Sequence, residues 1–257
     1  MLNRVQLLKI NKIFFVGDVH GKIEDVIHKL CMVYEERESL IIFCGDVGVG
    51  FSSFPPLTKM NKLLKKSNNY AILYRGNHSD PAAYNDPVKS KPYRKSNIFT
   101  IPDYTLINAS GEYKEANILC IGGGISIDRT GRMKGKTYWE NEDVYIDGKA
   151  LEEITIMEEK VDIVATHDAP DFCYPLTKSL PTSQWHLNDT TLEQDIITSR
   201  AKLTFIYNDL SAGGKKPAEW YYGHHHMSKY ENLLGTTFYL LDCSEIKPVQ
   251  WYNYVNI

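Results

Sequence analysis

The apolar residues of this chain come in short unbroken runs, and each run stops abruptly at a cluster of Gly, Asp, Asn or His. "KIFFV" (residues 12–16) runs into "GDVHG", "LIIFC" (40–44) into "GDVG", "YAILY" (70–74) into "RGNHSD", and "VDIVA" (161–165) into "THDAP". Runs of this length without polar alternation read as strands buried on both faces, and their polar ends as functional loops. After the first strand, Ile23, Val26, Ile27, Leu30, Val33 and Tyr34 recur at helical spacing and predict a helix over residues 22–37. A second helix is expected over residues 57–66. The alternation is βαβαβ, which implies parallel strands joined by right-handed crossovers.

The middle of the chain changes character. "NIFTI", "YTLIN" and "NILCIGGG" are short strand-like runs with no helix between them until residues 148–159, so an antiparallel or mixed stretch is expected. Leu192, Ile196, Ile197, Leu203 and Ile206 predict a further helix over residues 190–208. The end returns to strands, "EWYYG", "KYENLL", "TTFYLLDC" and "VQWYNY", rich in aromatic residues. Without an internal repeat, low-complexity tract or linker, residues 1–257 are taken as a single domain in two sheet-forming halves.

Composition narrows the function classes. A hydrophobic content of 43% over 257 residues is ample for a core. The net charge of -3, from 29 basic against 32 acidic residues, gives no overall field for nonspecific nucleic-acid binding. The five cysteines (Cys31, Cys44, Cys120, Cys173, Cys243) are scattered and never form a CxxC pair, which fits reduced thiols and excludes an all-thiolate zinc site. No apolar run approaches the about 20 residues of a membrane helix, and a cytoplasmic protein is expected.

The strand ends carry donors for hard or borderline divalent cations: carboxylate and amide oxygen, and imidazole nitrogen. Asp18 and His20 sit two apart, as do His224 and His226 inside "YYGHHHM", a spacing that puts both side chains on one face of an extended segment. Asp46, Asn77 and His167 follow the second, third and fourth strands. In an open α/β sheet, the carboxyl ends of neighbouring strands converge on one crevice, so these seven residues are expected to assemble a two-metal site.

The blocks "GDVHG", "GDVG", "GNH", "TH" and "GHHH", in that order from Gly17 to His226, resemble the five signature blocks of the calcineurin-like metallophosphoesterases, with the small bacterial and phage-type members as the nearest likeness. The resemblance implies a four-layer α/β/β/α sandwich with two mixed sheets. It implies two divalent ions (Mn, Fe or Zn), one held by Asp18, His20, Asp46 and His226, the other by Asp46, Asn77, His167 and His224. A hydroxide bridging them would attack a phosphate ester in line. His78 would face the phosphate from outside the metal shell, and His225 would point away. A phosphomonoesterase (phosphatase) is expected, acting on a phosphorylated small molecule, a nucleotide or a phosphoprotein. The alternatives are a phosphodiesterase or nuclease, and a non-catalytic scaffold whose metals organise an interface.

Two departures bear on phosphate binding. The "GDxxDRG" form of the second block, with its later Asp and Arg, is absent, since Val47-Gly48-Val49-Gly50 follow Asp46. "RGNHSD" retains Arg75 as a candidate phosphate clamp. "GGGISIDRTGR" is similar to the family's "GGxxSxDxxxR" segment and offers Arg129 and Arg132 as anion-binding candidates, with Trp139 as a pocket wall. His28 and His186 stand in no motif and read as ordinary histidines. Gly122 to Gly124 read as a bend after a strand, "YEERES" as a solvated helix end and "AGGKKP" as a mobile loop. The aromatic tail, with Tyr221, Tyr222, Tyr239, Trp251, Tyr252 and Tyr254, reads as core packing.

Overall fold

Two sheets lie back to back between two layers of helix. The computed structural model describes residues 1–51, 53–112, 115–179, 185 and 187–249. His186, Trp251, Tyr252 and Tyr254 therefore lie outside the described residues, as does most of "VQWYNY".

The five-stranded sheet runs in the order β12 (Ile246–Pro248), β2 (Lys12–Val16), β3 (Ser39–Phe43), β4 (Tyr70–Leu73), β5 (Ile98–Thr100). From β2 to β5 all pairings are parallel, as the βαβαβ pattern predicts, and β12 closes the edge antiparallel to β2. The seven-stranded sheet has the order β1 (Asn3–Leu8), β6 (Thr105–Ser110), β7 (Glu115–Ile121), β8 (Ile163–Thr166), β9 (Glu219–Tyr222), β11 (Thr236–Leu240), β10 (Lys229–Leu233). It is mixed, with β6–β7 and β10–β11 antiparallel and the central strands β7, β8 and β9 parallel.

The period-two geometry of a strand explains why the runs are apolar throughout. Ile13, Phe15, Leu40, Ile42 and Ile72 face Ile118, Ile163, Ala165 and Tyr221 in the core between the sheets. Their neighbours Phe14, Val16, Ile41, Phe43 and Leu73 face outward onto α1 (Ile23–His28) and α2 (Leu57–Ser67). On the far side, Leu119, Val164, Trp220 and Tyr222 pack against α5 (Gly148–Ile156) and α6 (Leu192–Ala212), numbered after the one-turn helices α3 (Ala82–Asn85) and α4 (Pro87–Ser90). Tyr221 and Tyr222 are thus core residues, one on each face of β9.

The helix expected over residues 22–37 is shorter. After His28 the chain makes a π-helical turn, Lys29–Val33, whose extra residue rotates the apolar stripe, so that Leu30 and Cys31 are buried while Val33 and Tyr34 are exposed. "YEERES" is accordingly a loop with Glu35 and Glu38 at positive φ, not a helix end. "AGGKKP" is not free either. α6 runs on through Ala212, and the buried Lys215 ammonium donates to the Met157 and Glu159 carbonyls beyond α5, which ends at Ile156 and not at residue 159.

Candidate metal centre

The loops after β2, β3, β4, β8 and β9 meet at one edge of the sandwich, because all five strands end there. Backbone hydrogen bonds tie them together: His20 N–H to the Asp46 carbonyl (2.9 Å) and Gly223 N–H to the His167 carbonyl (3.0 Å). The glycines in "GNH" and "GHHH" have a steric reason. A Cβ on Gly76 would come within 2.2 Å of Asp46 Oδ1, and one on Gly223 within 2.2 Å of Asp18 Oδ1. The two-residue spacings do not act through an extended segment, however. His20 (φ 43°), Asp46 (φ 42°), His224 (φ 68°) and His226 (φ 49°) are all left-handed, a strained conformation that non-glycine residues adopt mainly where surrounding structure enforces it.

All seven sequence-predicted donors come together, in a buried half and an open half. In the buried half, His167 Nδ1 donates to the Cys44 carbonyl (2.8 Å), which turns Nε2 toward the other metal-suited atoms. That nitrogen lies 2.7 Å from Asn77 Oδ1, 3.1 Å from His224 Nδ1 and 3.4 Å from Asp46 Oδ1. Two imidazole nitrogens, an amide oxygen and a carboxylate oxygen thus converge. In the open half, His226 Nε2 is 3.0 Å from His20 Nε2 and 3.3 Å from Asp18 Oδ2. Asp18 is 1% exposed, yet its Oδ1 has no hydrogen-bond partner; Oδ2 accepts from the His224 backbone N–H at 3.0 Å. An orphaned buried carboxylate oxygen and converging imidazole and amide lone pairs are a donor set that fits divalent cations.

The electrostatics agree. Burial alone would lower His167, but the Asp46 and Asp18 carboxylates outweigh it and push the imidazole up to about 10. Burial would likewise raise Asp46, and the His167 charge and hydrogen bond hold it well below the usual carboxylate range. The buried half therefore attracts positive charge.

Around these donors stands a ring of supports that sequence reading missed. Asn77 Nδ2 donates to Ser126 Oγ (2.9 Å), and Ser126 donates through Oγ and its backbone N–H to the buried Glu142 carboxylate, both at 2.7 Å, so the amide oxygen must turn toward His167. Ser126 is the Ser of "GGxxSxDxxxR", whereas its partner Glu142, at the end of "GGGISIDRTGRMKGKTYWENED", matches no motif position. His225 does not simply point away: its ring meets Asp168 Oδ1 at 2.9 Å beneath the site and lies edge-on to the His224 ring at 4.8 Å. Asp168 is in turn 3.6 Å from the fully buried Arg200, whose guanidinium donates to the carbonyls of Ala169, Pro170, Cys173 and Pro175. His28 is exposed at the end of α1.

The three arginines separate cleanly. Arg75 is not a phosphate clamp: it is 1% exposed and saturated by Asp103 (2.7 Å) and the Glu142 and Asp143 carbonyls (2.6 and 2.9 Å). Arg129 is likewise committed, to Asp189 (2.5 Å) and Asp195 (2.6 Å), and pins its loop to the start of α6. Only Arg132 reaches the site, where its guanidinium contacts His78 Nε2 and pairs with Asp128 at 2.7 Å. His78 stacks on Phe51 at 6.4 Å, and Trp139 meets Phe51 edge-on at 5.4 Å, so Trp139 does wall this side. Burial lowers the His78 imidazole, Asp46 opposes this, and the Arg132 charge adds to the fall.

The family model described as calcineurin-like phosphoesterase matches residues 11–228. No curated protein sequence matches the chain. Among solved structures, the phosphopantetheinyl hydrolase of Mycobacterium tuberculosis superposes with a TM-score of 0.55 at 12% identity, over 96% of this chain and 98% of that one. The protein TT1561 of Thermus thermophilus gives 0.50 at 12% identity, over 94% and 99%. A putative 5'-nucleotidase from Staphylococcus aureus gives 0.50 at 12% identity over 92% of this chain, which spans 50% of that one. At this identity the likenesses speak for the fold alone. No described helix is long and apolar enough to cross a membrane. Two mixed sheets between helices, metal-suited donors at their shared edge and the family match over residues 11–228 lead to one conclusion: the chain belongs to the calcineurin-like phosphoesterases, metal-dependent hydrolases of phosphoric esters.

Proposed function

We propose that the chain is a phosphomonoesterase with a binuclear centre. One divalent ion is held by Asp18, His20, Asp46 and His226, the other by Asp46, Asn77, His167 and His224, with Mn, Fe and Zn the metals that suit these donors. Two such ions supply a hydroxide-strength nucleophile at neutral pH and neutralise charge growing on the phosphoryl oxygens. The observation that carries the reading is the Arg132 guanidinium against His78, beside this donor cluster. A monoester presents a terminal dianion, and a guanidinium fork is matched to two of its oxygens.

The residues then divide the work. Arg132 turns from His78 to the phosphoryl oxygens as substrate enters, and orients the ester. His78 Nε2, released from that contact, holds a proton against the leaving oxygen. The Phe51–Trp139 wall excludes water from one side and offers a flat face to the leaving group, which suits a nucleotide or an aryl-like phosphate. Glu142 and Ser126 keep the Asn77 oxygen turned inward.

Hydrolysis of para-nitrophenyl phosphate beside bis-para-nitrophenyl phosphate tests this, using metal-stripped protein resupplied with Mn, Zn or Fe(II) and Asn77→Ala as control. Metal-restored cleavage of the monoester, abolished in Asn77→Ala, is the expected result. Preference for the diester would make the chain a phosphodiesterase or nuclease. Two bound ions without turnover on either substrate would make it a scaffold.

A further inference from the structure

One donor near the cluster belongs to none of the family blocks. Cys243 Sγ, His20 and His226 offer three ligand atoms that all lie within 4.8 Å of one another. The thiol is not there by the wandering of a loose tail. After β11 the chain crosses to the five-stranded sheet to form β12, and two backbone hydrogen bonds fasten the crossing to the first block: Ser244 N–H to the Asp18 carbonyl (2.9 Å) and Gly17 N–H to the Glu245 carbonyl (3.0 Å). Cys243 therefore takes its place from the same backbone that positions Asp18. The other four cysteines are buried, whereas Cys243 is exposed at the mouth of the open half. The open half also holds a buried carboxylate oxygen, Asp18 Oδ2, 3.3 Å from His226 Nε2.

We propose that Cys243 is a soft ligand, direct and thiolate-based, to the ion in the open half of the centre, and that it biases this half toward thiophilic divalent ions over Mg and Mn. The inference rests on the binuclear reading above and adds a donor to it. Oxygen and imidazole ligands alone discriminate weakly among first-row metals, whereas a thiolate favours Zn, Co(II), Cd and Fe(II). On binding, the S–H proton passes to solvent and the sulfur lone pair goes to the ion, so no oxidant or reductant is needed. The two halves would then differ in metal preference: the buried half, with oxygen and nitrogen donors only, accepts hard ions, and the open half prefers softer ones.

Cobalt(II) titration of the metal-stripped full chain tests this by absorption spectroscopy, which separates the sulfur-to-cobalt charge-transfer band in the near ultraviolet from the visible ligand-field bands. Two equivalents of bound cobalt are expected, with a charge-transfer band that corresponds to one thiolate and disappears in Cys243→Ser while ligand-field bands and stoichiometry persist. Competition should show Cd(II) affinity at one of the two sites falling on the order of 10- to 100-fold in Cys243→Ser, with Mn(II) affinity nearly unchanged. Because Cys243 is exposed, the Ser variant is expected to fold, and an unchanged melting temperature verifies it. Two cobalt ions bound with no charge-transfer band, or a band that survives in Cys243→Ser, would overturn the thiolate assignment and leave the binuclear reading intact. Failure of cobalt to bind at all would remove both.

Discussion

His167 is fully buried, and its two ring nitrogens face the Cys44 carbonyl and Asn77 Oδ1, whereas His20 is exposed and its Nε2 meets chiefly the ring of His226. That contrast runs through the whole centre. Behind the buried half stand Ser126 and Glu142, which fix Asn77, and on the other side His225, Asp168 and Arg200, with His225 packed against the His224 ring. The open half is held by backbone instead, through left-handed residues and the stitching at Asp18, and faces solvent. Preorganisation in the first half favours tight, slowly exchanging binding. Exposure in the second favours exchange and room for substrate.

Single alanines should expose the difference. His167→Ala removes a donor that nothing else can replace in a closed pocket, and kcat is expected to fall on the order of a thousandfold at every metal concentration. His20→Ala should fall comparably at stoichiometric metal but recover in part when metal is supplied in excess. Equal rescue of both variants would erase the distinction between the halves. Next in size is Arg200→Met, which leaves the Asp168 carboxylate and four carbonyls without their buried cation. Unfolding by denaturant should show a loss of about 3 to 5 kcal/mol. If Arg200→Met melts like the wild type, the support beneath the buried half is not structural.

The same contrast bears on which features are legible in the sequence. The donors of both halves were legible because each follows a strand buried on both faces, and such strands announce themselves as unbroken apolar runs with abrupt polar ends. β1 was not legible: only Leu7 of its six residues is buried, so it carries no periodic signal and depends on pairing with β6. The π-helical turn after His28 left no trace either, because a single extra residue in a helix does not change composition. The supports were hidden for a different reason. Glu142 meets Ser126 within one long connection that carries no periodic signal, Asp168 and Cys243 meet their partners only after segments distant in sequence are brought to one edge, and Arg75 looked functional from its motif although its partners, Asp103 and the carbonyls of residues 142 and 143, lie far along the chain.

Glu142 gives the buried half a pH signature. Burial pushes its carboxyl from an ordinary 4.5 up to about 7, against the pull of its Ser126 hydrogen bonds and Arg132. Between those values the folded chain keeps a proton that the unfolded chain has lost, so this group's contribution to stability declines as pH rises from 4.5 to 7 and is level above. The full decline amounts to about 3 kcal/mol. Denaturant midpoints measured across that range for wild type and Glu142→Gln should diverge with pH, the wild type losing ground toward neutrality. Parallel curves would mean that Glu142 is ionised throughout.

The smallest effect separates the two arginines of one loop. Arg132→Ala removes a guanidinium beside His78 and is expected to reduce kcat/KM for a monoester by about 10- to 100-fold, with a lesser effect on a diester, which carries one negative charge instead of two. Arg129→Ala breaks the ion pairs to Asp189 and Asp195, both partly open to solvent at the start of α6, and should cost stability of about 1 kcal/mol while leaving the monoester-to-diester ratio where it was. The ratio is the decisive readout, because a loop merely loosened by either substitution would lower both rates together. If Arg132→Ala leaves the ratio unchanged, the guanidinium serves the loop and not the phosphate, and the specificity of the site must come from the open half alone.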